Sequence, residues 1–141
     1  MLDVDGSPFF TQCSALNAVY YHVHYGALEF PVKGSVVSLP SMPPLGFDDL
    51  PSFISEPGSY PSFLNLVLNQ FSNIHEPKWI LCNTFLELED EVVNSTASKC
   101  PTKTIGPTIP SIYLDERLQN DNDYGLSLFK PRTETCKTWL D

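Results

Sequence analysis

A chain of 141 residues that is 42% hydrophobic, with nine Phe, six Tyr and two Trp, holds enough apolar material for one folded domain and excludes wholesale disorder. Only 18% of it is charged, and its formal net charge of −9 repels a phosphate backbone, which excludes nucleic acid as a natural partner. No Lys/Arg cluster addresses an anionic membrane surface either.

The opening Met1-Leu2-Asp3-Val4-Asp5-Gly6 has no basic stretch and is acidic, so no secretory signal is expected. No apolar run reaches the roughly 20 residues that span a bilayer, which predicts a cytoplasmic protein without an integral membrane segment. Pro8-Phe9-Phe10-Thr11-Gln12 reads as a short buried strand and its carboxyl end. A helix follows from about Ser14 to Tyr25, because Leu16, Val19, Tyr20 and Val23 share one face, and Gly26 stops it. Residues 30–58 hold six prolines among anchors such as Val37, Leu39, Leu50 and Ile54, the pattern of a stiff loop packed over a site.

The clearest helix is expected from about Tyr60 to His75, with Pro61 in its first turn and Phe63, Leu64, Val67, Leu68, Phe71 and Ile74 on one side. Lys78–Asn83 is a continuous apolar run between helices, as in a parallel strand buried on both faces. Thr84-Phe85-Leu86-Glu87 has the form of a capping box, opening a helix that would run to about Lys99. Lys103–Ile105 reads as another strand, closed by Gly106-Pro107. Asn120–Asp123 reads as a polar loop, and Glu134–Asp141 as the beginning of a last helix. Strands alternating with helices predict an α/β fold with a parallel sheet of three evident strands.

Few residues offer chemistry. Cys13, Cys82, Cys100 and Cys136 form no CxxC pair, so reduced structural thiols are expected rather than a zinc site or a disulfide framework. His22 and His24 lie two apart on a helix, pointing about 200° away from one another, and cannot clamp one ion; no metal is expected. Glu87, Glu89, Asp90 and Glu91 could pair for acid–base work, but enrichment of acids at a helix start explains them without chemistry. The sequon Asn94-Ser95-Thr96 is read as chance, and no glycine-rich phosphate loop, GxSxG or HExxH is present. Thr11 and Gln12 stand where a strand ends and a helix begins, where ligands collect in open α/β sheets and where free N–H groups meet a positive dipole. They line a small-molecule pocket on one reading and form a plain helix cap on the other.

Several segments together resemble the plant UDP-dependent glycosyltransferases, and among them the subgroup that glucosylates small acids such as salicylate or indole-acetate. They are Pro8–Gln12; Asn17 with Tyr20–His24; Asp49–Phe53; Gly58–Pro61; Asn83–Phe85 with Glu87–Glu89; Ile105–Ser111 running into Tyr113–Asp115; and Thr138–Asp141. The resemblance spans nearly the whole chain. It implies a partial Rossmann-like sheet from the N-terminal domain of a GT-B fold, with residues 1–141 forming the second half of the acceptor-binding domain and ending at the interdomain linker. It implies inverting hexosyl transfer from UDP-glucose to a hydroxyl or carboxyl of a small molecule, with UDP-sugar as co-substrate and no cofactor. It places Thr11 near the transferred sugar and Gln12, Tyr20 and Phe63 in the acceptor pocket. The family's catalytic histidine and its orienting aspartate lie upstream of the Phe9–Gln12 match, and its sugar-nucleotide signature is not found here. No residue of this chain takes the catalytic role, and the chain alone is expected to be inactive. The alternatives are a stand-alone small-molecule binding module and an acidic protein-interaction domain.

Overall fold

The computed structural model describes residues 5–108 and 138–139. The chain divides into two units, Met1–Pro107 and Thr108–Asp141. In the second unit Thr138 and Trp139 are helical and exposed, within the helix expected from Glu134. The expected Asn120–Asp123 loop and Cys136 lie outside the described residues.

The first unit is built on three short parallel strands: β1 (Phe9–Phe10), β4 (Ile80–Cys82) and β5 (Thr102–Thr104), in the order β1-β4-β5. Phe10, Cys82 and Thr104 stand level across the sheet. Parallel neighbours need crossovers. Helix α4 (Leu86–Ala97) connects β4 to β5; the longer excursion from β1 to β4 contains helix α1 (Ser14–His24) and helix α3 (Pro61–Asn69). The middle strand is the apolar one, with Ile80 and Cys82 buried. Phe9, expected in a buried strand, is 42% exposed, since β1 pairs on one side alone among the described residues.

Helix α1 buries Ala18, Val19, Tyr20 and Val23, the last three in one core cluster with Phe10, Ile80 and Cys82, packs beside α3 and α4, and stops as its composition dictates. Gly26 takes φ +72°, a left-handed conformation open to glycine, and its N–H bonds the Val23 carbonyl. The proline-rich section holds only short elements, as its prolines predict, and its apolar anchors are buried. It carries a two-stranded antiparallel ribbon, β2 (Val36–Val37) with β3 (Leu45–Gly46), a 3-10 turn at Phe47–Asp49 and a one-turn helix α2 (Ser52–Ser55). Val37, Leu39, Leu50 and Ile54 anchor it in the core, Ile54 with no exposed surface.

Helix α3 begins with Pro61 at its first position but ends six residues before the expected His75. From there Phe71, Ser72, Ile74 and Glu76 donate to carbonyls three residues back, in successive tight turns. The polar run Asn69, Gln70, Ser72 and Asn73 favours such turns over helix. The turns carry Phe71 and Ile74 into the core, where Phe71 stacks on Phe10 at 5.5 Å. Phe63, expected on the apolar face of α3, is 58% exposed.

Helix α4 departs most from expectation. The capping box does not form: the helix starts at Leu86, its cap residue Phe85 offers no side-chain bond, and Thr84 is buried. At Glu89 the backbone leaves helical geometry, with φ −137° and ψ 36°, kinking the helix.

Candidate functional site

Three parallel strands end on one side, so the residues after them share a rim: Thr11-Gln12 after β1, Asn83-Thr84 after β4, Ile105-Gly106 after β5. Main-chain bonds tie the rim together. Asn83 N–H donates to Phe10 O at 2.9 Å, Ile105 N–H to Cys82 O at 3.0 Å and Gly106 N–H to Thr84 O at 2.9 Å. Gly106 approaches so closely that a Cβ there would lie 2.7 Å from both Asn83 C and Thr84 N. The glycine of Ile105-Gly106-Pro107 is therefore required for contact rather than for a turn.

Side chains hold the β1–α1 connection from both ends. Asn83 Nδ2 donates to Thr11 O at 3.3 Å, and Asn17 Nδ2 to Gln12 O at 3.2 Å. The Glu89 carboxylate accepts from Ser14 N–H through Oε2 and from Ala15 N–H through Oε1, both at 2.9 Å. These are orphan donors of the first turn of α1, whose own cap residue Cys13 makes no side-chain bond. The α4 kink thus turns Glu89 away from its own helix to cap another one, 75 residues earlier. Burial raises the pKa of Glu89, but the Ser14 and Ala15 N–H groups, aided by the Thr84 and Ser14 hydroxyls, outweigh it, and the net shift is downward. Both hydroxyl oxygens are buried without a partner of hydrogen-bonding geometry among the described residues, so their influence on the carboxylate is one of proximity. Beneath them burial, reinforced by the Glu89 charge, pushes the Cys82 thiol up to about 11.

This arrangement corrects one expectation. The N–H groups of Ser14 and Ala15 are not available to a ligand's phosphate or carboxylate, because a protein carboxylate already occupies them. What the rim presents outward is Thr11 and Gln12, both exposed. Tyr20 lies on the same helix but is 3% exposed within the core, its pKa raised by burial. Phe63 sits on α3, its ring packed with those of Phe53 and Tyr60 at 6.3 Å each. The structure therefore leaves Thr11 and Gln12 exposed at the strand end, Tyr20 buried in the core and Phe63 exposed on α3 beside Phe53 and Tyr60.

His22 and His24 fall on a helix, as expected. His22 is buried, which lowers its pKa, as does nearby Lys99; His24 packs on Tyr25 and Phe71. Cys13, Cys82 and Cys100 are free thiols. Among the described residues no helix is long and apolar enough to cross a membrane. Sequence reasoning missed the roles of Glu89, Asn83 and Asn17. Glu89 was visible only as one of four acids at a helix start, and nothing local marks which of them reaches another element.

No family model matches the chain. It is 46% identical over 140 residues to a mogroside I-E synthase of Siraitia grosvenorii and 43% identical over 142 residues to UDP-glycosyltransferase 74E2 of Arabidopsis thaliana; each match covers 98% of this chain and 31% of the relative. Its fold superposes on crystalline Os79 of O. sativa in complex with UDP and deoxynivalenol-3-glucoside, with TM-score 0.66, 29% identity, and coverage of 98% of this chain and 30% of that one. UGT2 of Phytolacca americana, at 18% identity and TM-score 0.59, shares the fold over 74% of the chain. The homologues of this chain are UDP-glycosyltransferases, of which it spans 31% of the length, and its parallel sheet with flanking helices is an α/β fold matching the N-terminal domain of GT-B transferases.

Proposed function

We propose that these residues form the acceptor-side half of the N-terminal domain of a UDP-glucose-dependent, inverting glucosyltransferase acting on a hydroxyl or carboxyl of a small molecule. Thr11 lies near the transferred sugar, and Gln12, Tyr20 and Phe63 contribute to the acceptor pocket, Tyr20 as a wall from within the core. The observation that carries this reading is the exposed Thr11-Gln12 pair. It is fixed by Asn83 and Asn17 at the carboxyl end of a parallel strand, in a chain whose homologues transfer sugars. Strand ends of this kind are where open α/β sheets hold ligands. A structural neighbour that holds UDP and a glucoside supports a small-molecule acceptor. Salicylate-like or indole-acetate-like acids are the acceptor class we favour. Buried unpaired thiols at Cys82 and Cys100 suit a reducing, cytoplasmic setting.

The chemistry requires a group that deprotonates an acceptor hydroxyl or orients an acceptor carboxylate, and a nucleotide sugar opposite it. The resemblance assigns neither to these 141 residues, so the chain alone transfers no glucose. The test is a neutral phenol, p-cresol, titrated into the isotope-labelled chain and followed by amide shifts, with a parallel assay for cresyl glucoside from UDP-glucose. Shifts centred on Thr11 and Gln12, weakened by Thr11→Ala or Gln12→Ala, are expected, with no glucoside. Shifts confined to other surfaces overturn the placement of the pocket, and turnover above a host-protein blank overturns the inactivity.

A further inference from the structure

We propose that Glu89 is a positioning residue for this site. Its carboxylate, delivered by the α4 kink, fixes the first turn of α1 and so sets how Thr11 and Gln12 face a ligand. The inference rests on the reading that Thr11 and Gln12 meet the ligand.

Three observations carry it. First, the kink is local and aimed. Glu89 alone within α4 leaves helical φ/ψ, in a helix with neither Pro nor Gly to cause it. Second, both carboxylate oxygens are used, one on each of two consecutive N–H groups at 2.9 Å. A bidentate, charge-assisted grip fixes orientation as well as distance. Third, the grip completes a set. Asn83 holds the Thr11 carbonyl, Asn17 holds the Gln12 carbonyl, and Glu89 holds the two amides beyond Cys13. The five-residue connection from Thr11 to Ala15 is thereby held at four main-chain atoms by three side chains from outside it, while the Thr11 and Gln12 side chains stay exposed.

The groups facing the Glu89 carboxylate are the Ser14 hydroxyl from α1, the Thr84 hydroxyl before α4 and the Cys82 thiol of β4, whose pKa of about 11 keeps it neutral in acid. On its own helix Glu87, Asp90 and Glu91 are exposed. Within this polar cluster Glu89 is the group that changes charge as the pH falls.

The experiment uses the whole chain, isotope-labelled, with p-cresol as a probe that does not ionise in the acid range. In the wild type the Ser14 and Ala15 amide signals should move together as the pH is lowered through and below 4.5, the ordinary glutamate value. The affinity for p-cresol at Thr11 and Gln12 should fall in step. In Glu89→Gln both amides should stop titrating, the Val19 and Tyr20 amides should stay in place, and p-cresol should bind about tenfold more weakly with no acid dependence of its own. If the Ser14 and Ala15 amides do not titrate in the wild type, or titrate equally in Glu89→Gln, the grip is absent and the inference is overturned, a result that needs no ligand. If p-cresol maps to Thr11 and Gln12 but binds wild type and Glu89→Gln alike at every pH, Glu89 is a cap only and the proposed pocket stands without it. If p-cresol leaves Thr11 and Gln12 unmoved in the wild type, the pocket and the positioning role fall together. If Glu89→Gln does not fold, the wild type alone decides: an affinity for p-cresol that stays constant while the Ser14 and Ala15 amides titrate overturns the positioning role, and one that falls in step with them supports it.

Discussion

Replacing Gly106 with alanine tests whether the rim is packed as described. The new Cβ would sit 2.7 Å from Asn83 C and from Thr84 N, both main-chain atoms that cannot swing aside. Reaching ordinary contact at 3.4 Å requires the 105–107 segment to retreat by about 0.7 Å. That retreat stretches the Gly106 N–H bond to Thr84 O from 2.9 Å to about 3.6 Å, beyond hydrogen-bonding range. One main-chain bond is worth about 1 kcal/mol, and an overpacked contact costs about 1–3 kcal/mol, giving about 2–4 kcal/mol in all. At roughly 4 °C per kcal/mol for a chain of this size, Tm should fall by about 8–16 °C. Gly6→Ala is the control, since a Cβ there meets nothing within 4 Å, and it should melt as wild type does. Thermal melts followed by circular dichroism give both numbers. A Gly106→Ala protein that melts with the control would refute the close approach, and with it the claim that the ends of β4 and β5 are locked together.

Other outcomes follow from the core and the titrating groups. Phe71→Ala removes a ring that is 2% exposed and stacked on Phe10, and should cost about 3–5 kcal/mol, whereas Phe63→Ala at 58% exposure should cost under about 1 kcal/mol by the same melts. Glu89 has a depressed pKa in the fold, so its contribution is present above the unfolded value of 4.5 and lost as the pH falls through the folded one. The Tm gap between wild type and Glu89→Gln should accordingly be widest near neutrality and close in acid; a gap independent of pH would show that charge plays no part. Iodoacetamide at neutral pH should label Cys13 in the folded chain and reach Cys82 and Cys100 only in denaturant, because both are buried with raised pKa values. Peptide mass mapping reads the order of labelling.

The sheet was legible because its signals are local. Ile80–Cys82 is an apolar run too short for a helix, and the face formed by Val19, Tyr20 and Val23 repeats with helical period, so strand and helix could each be read from neighbours in the chain. The end of α3 was not, because an apolar face continues through Phe71 and Ile74 whether the backbone is helical or a series of tight turns. Only the Asn69–Asn73 polar run separates the two, and it is overridden or obeyed according to what Phe71 can stack on. Thr84-x-x-Glu87 misled for a related reason. A capping box is a local offer, and here Thr84 is drawn inside the fold beneath the rim, where its hydroxyl lies near Glu89 instead.

Glu89 shows why the site itself could not be read from pattern. Thr11 and Gln12 mark a strand end by sequence, but two of the side chains that fix their connection lie far along the chain: Asn83, 72 residues from the Thr11 carbonyl it holds, and Glu89, 75 residues from the Ser14 amide it caps. A carboxylate reaching from one helix to cap another breaks the local rule that acids at a helix start serve that helix's own dipole. The cost is a break in the helical geometry of α4 at Glu89. The return is that the positive end of α1 is neutralised from inside the protein. A ligand carrying negative charge therefore gains nothing from that helix end, and on the proposed reading recognition at the rim rests on the Thr11 hydroxyl and the Gln12 amide, each able to bond a hydroxyl or a carboxyl of the acceptor. That difference separates two otherwise similar sites. If α1 were an open anion cradle, inorganic phosphate would compete with p-cresol for the Thr11–Ala15 connection. With Glu89 in place it should not, and competition that appears only in Glu89→Gln would show that the carboxylate holds the place of an anion.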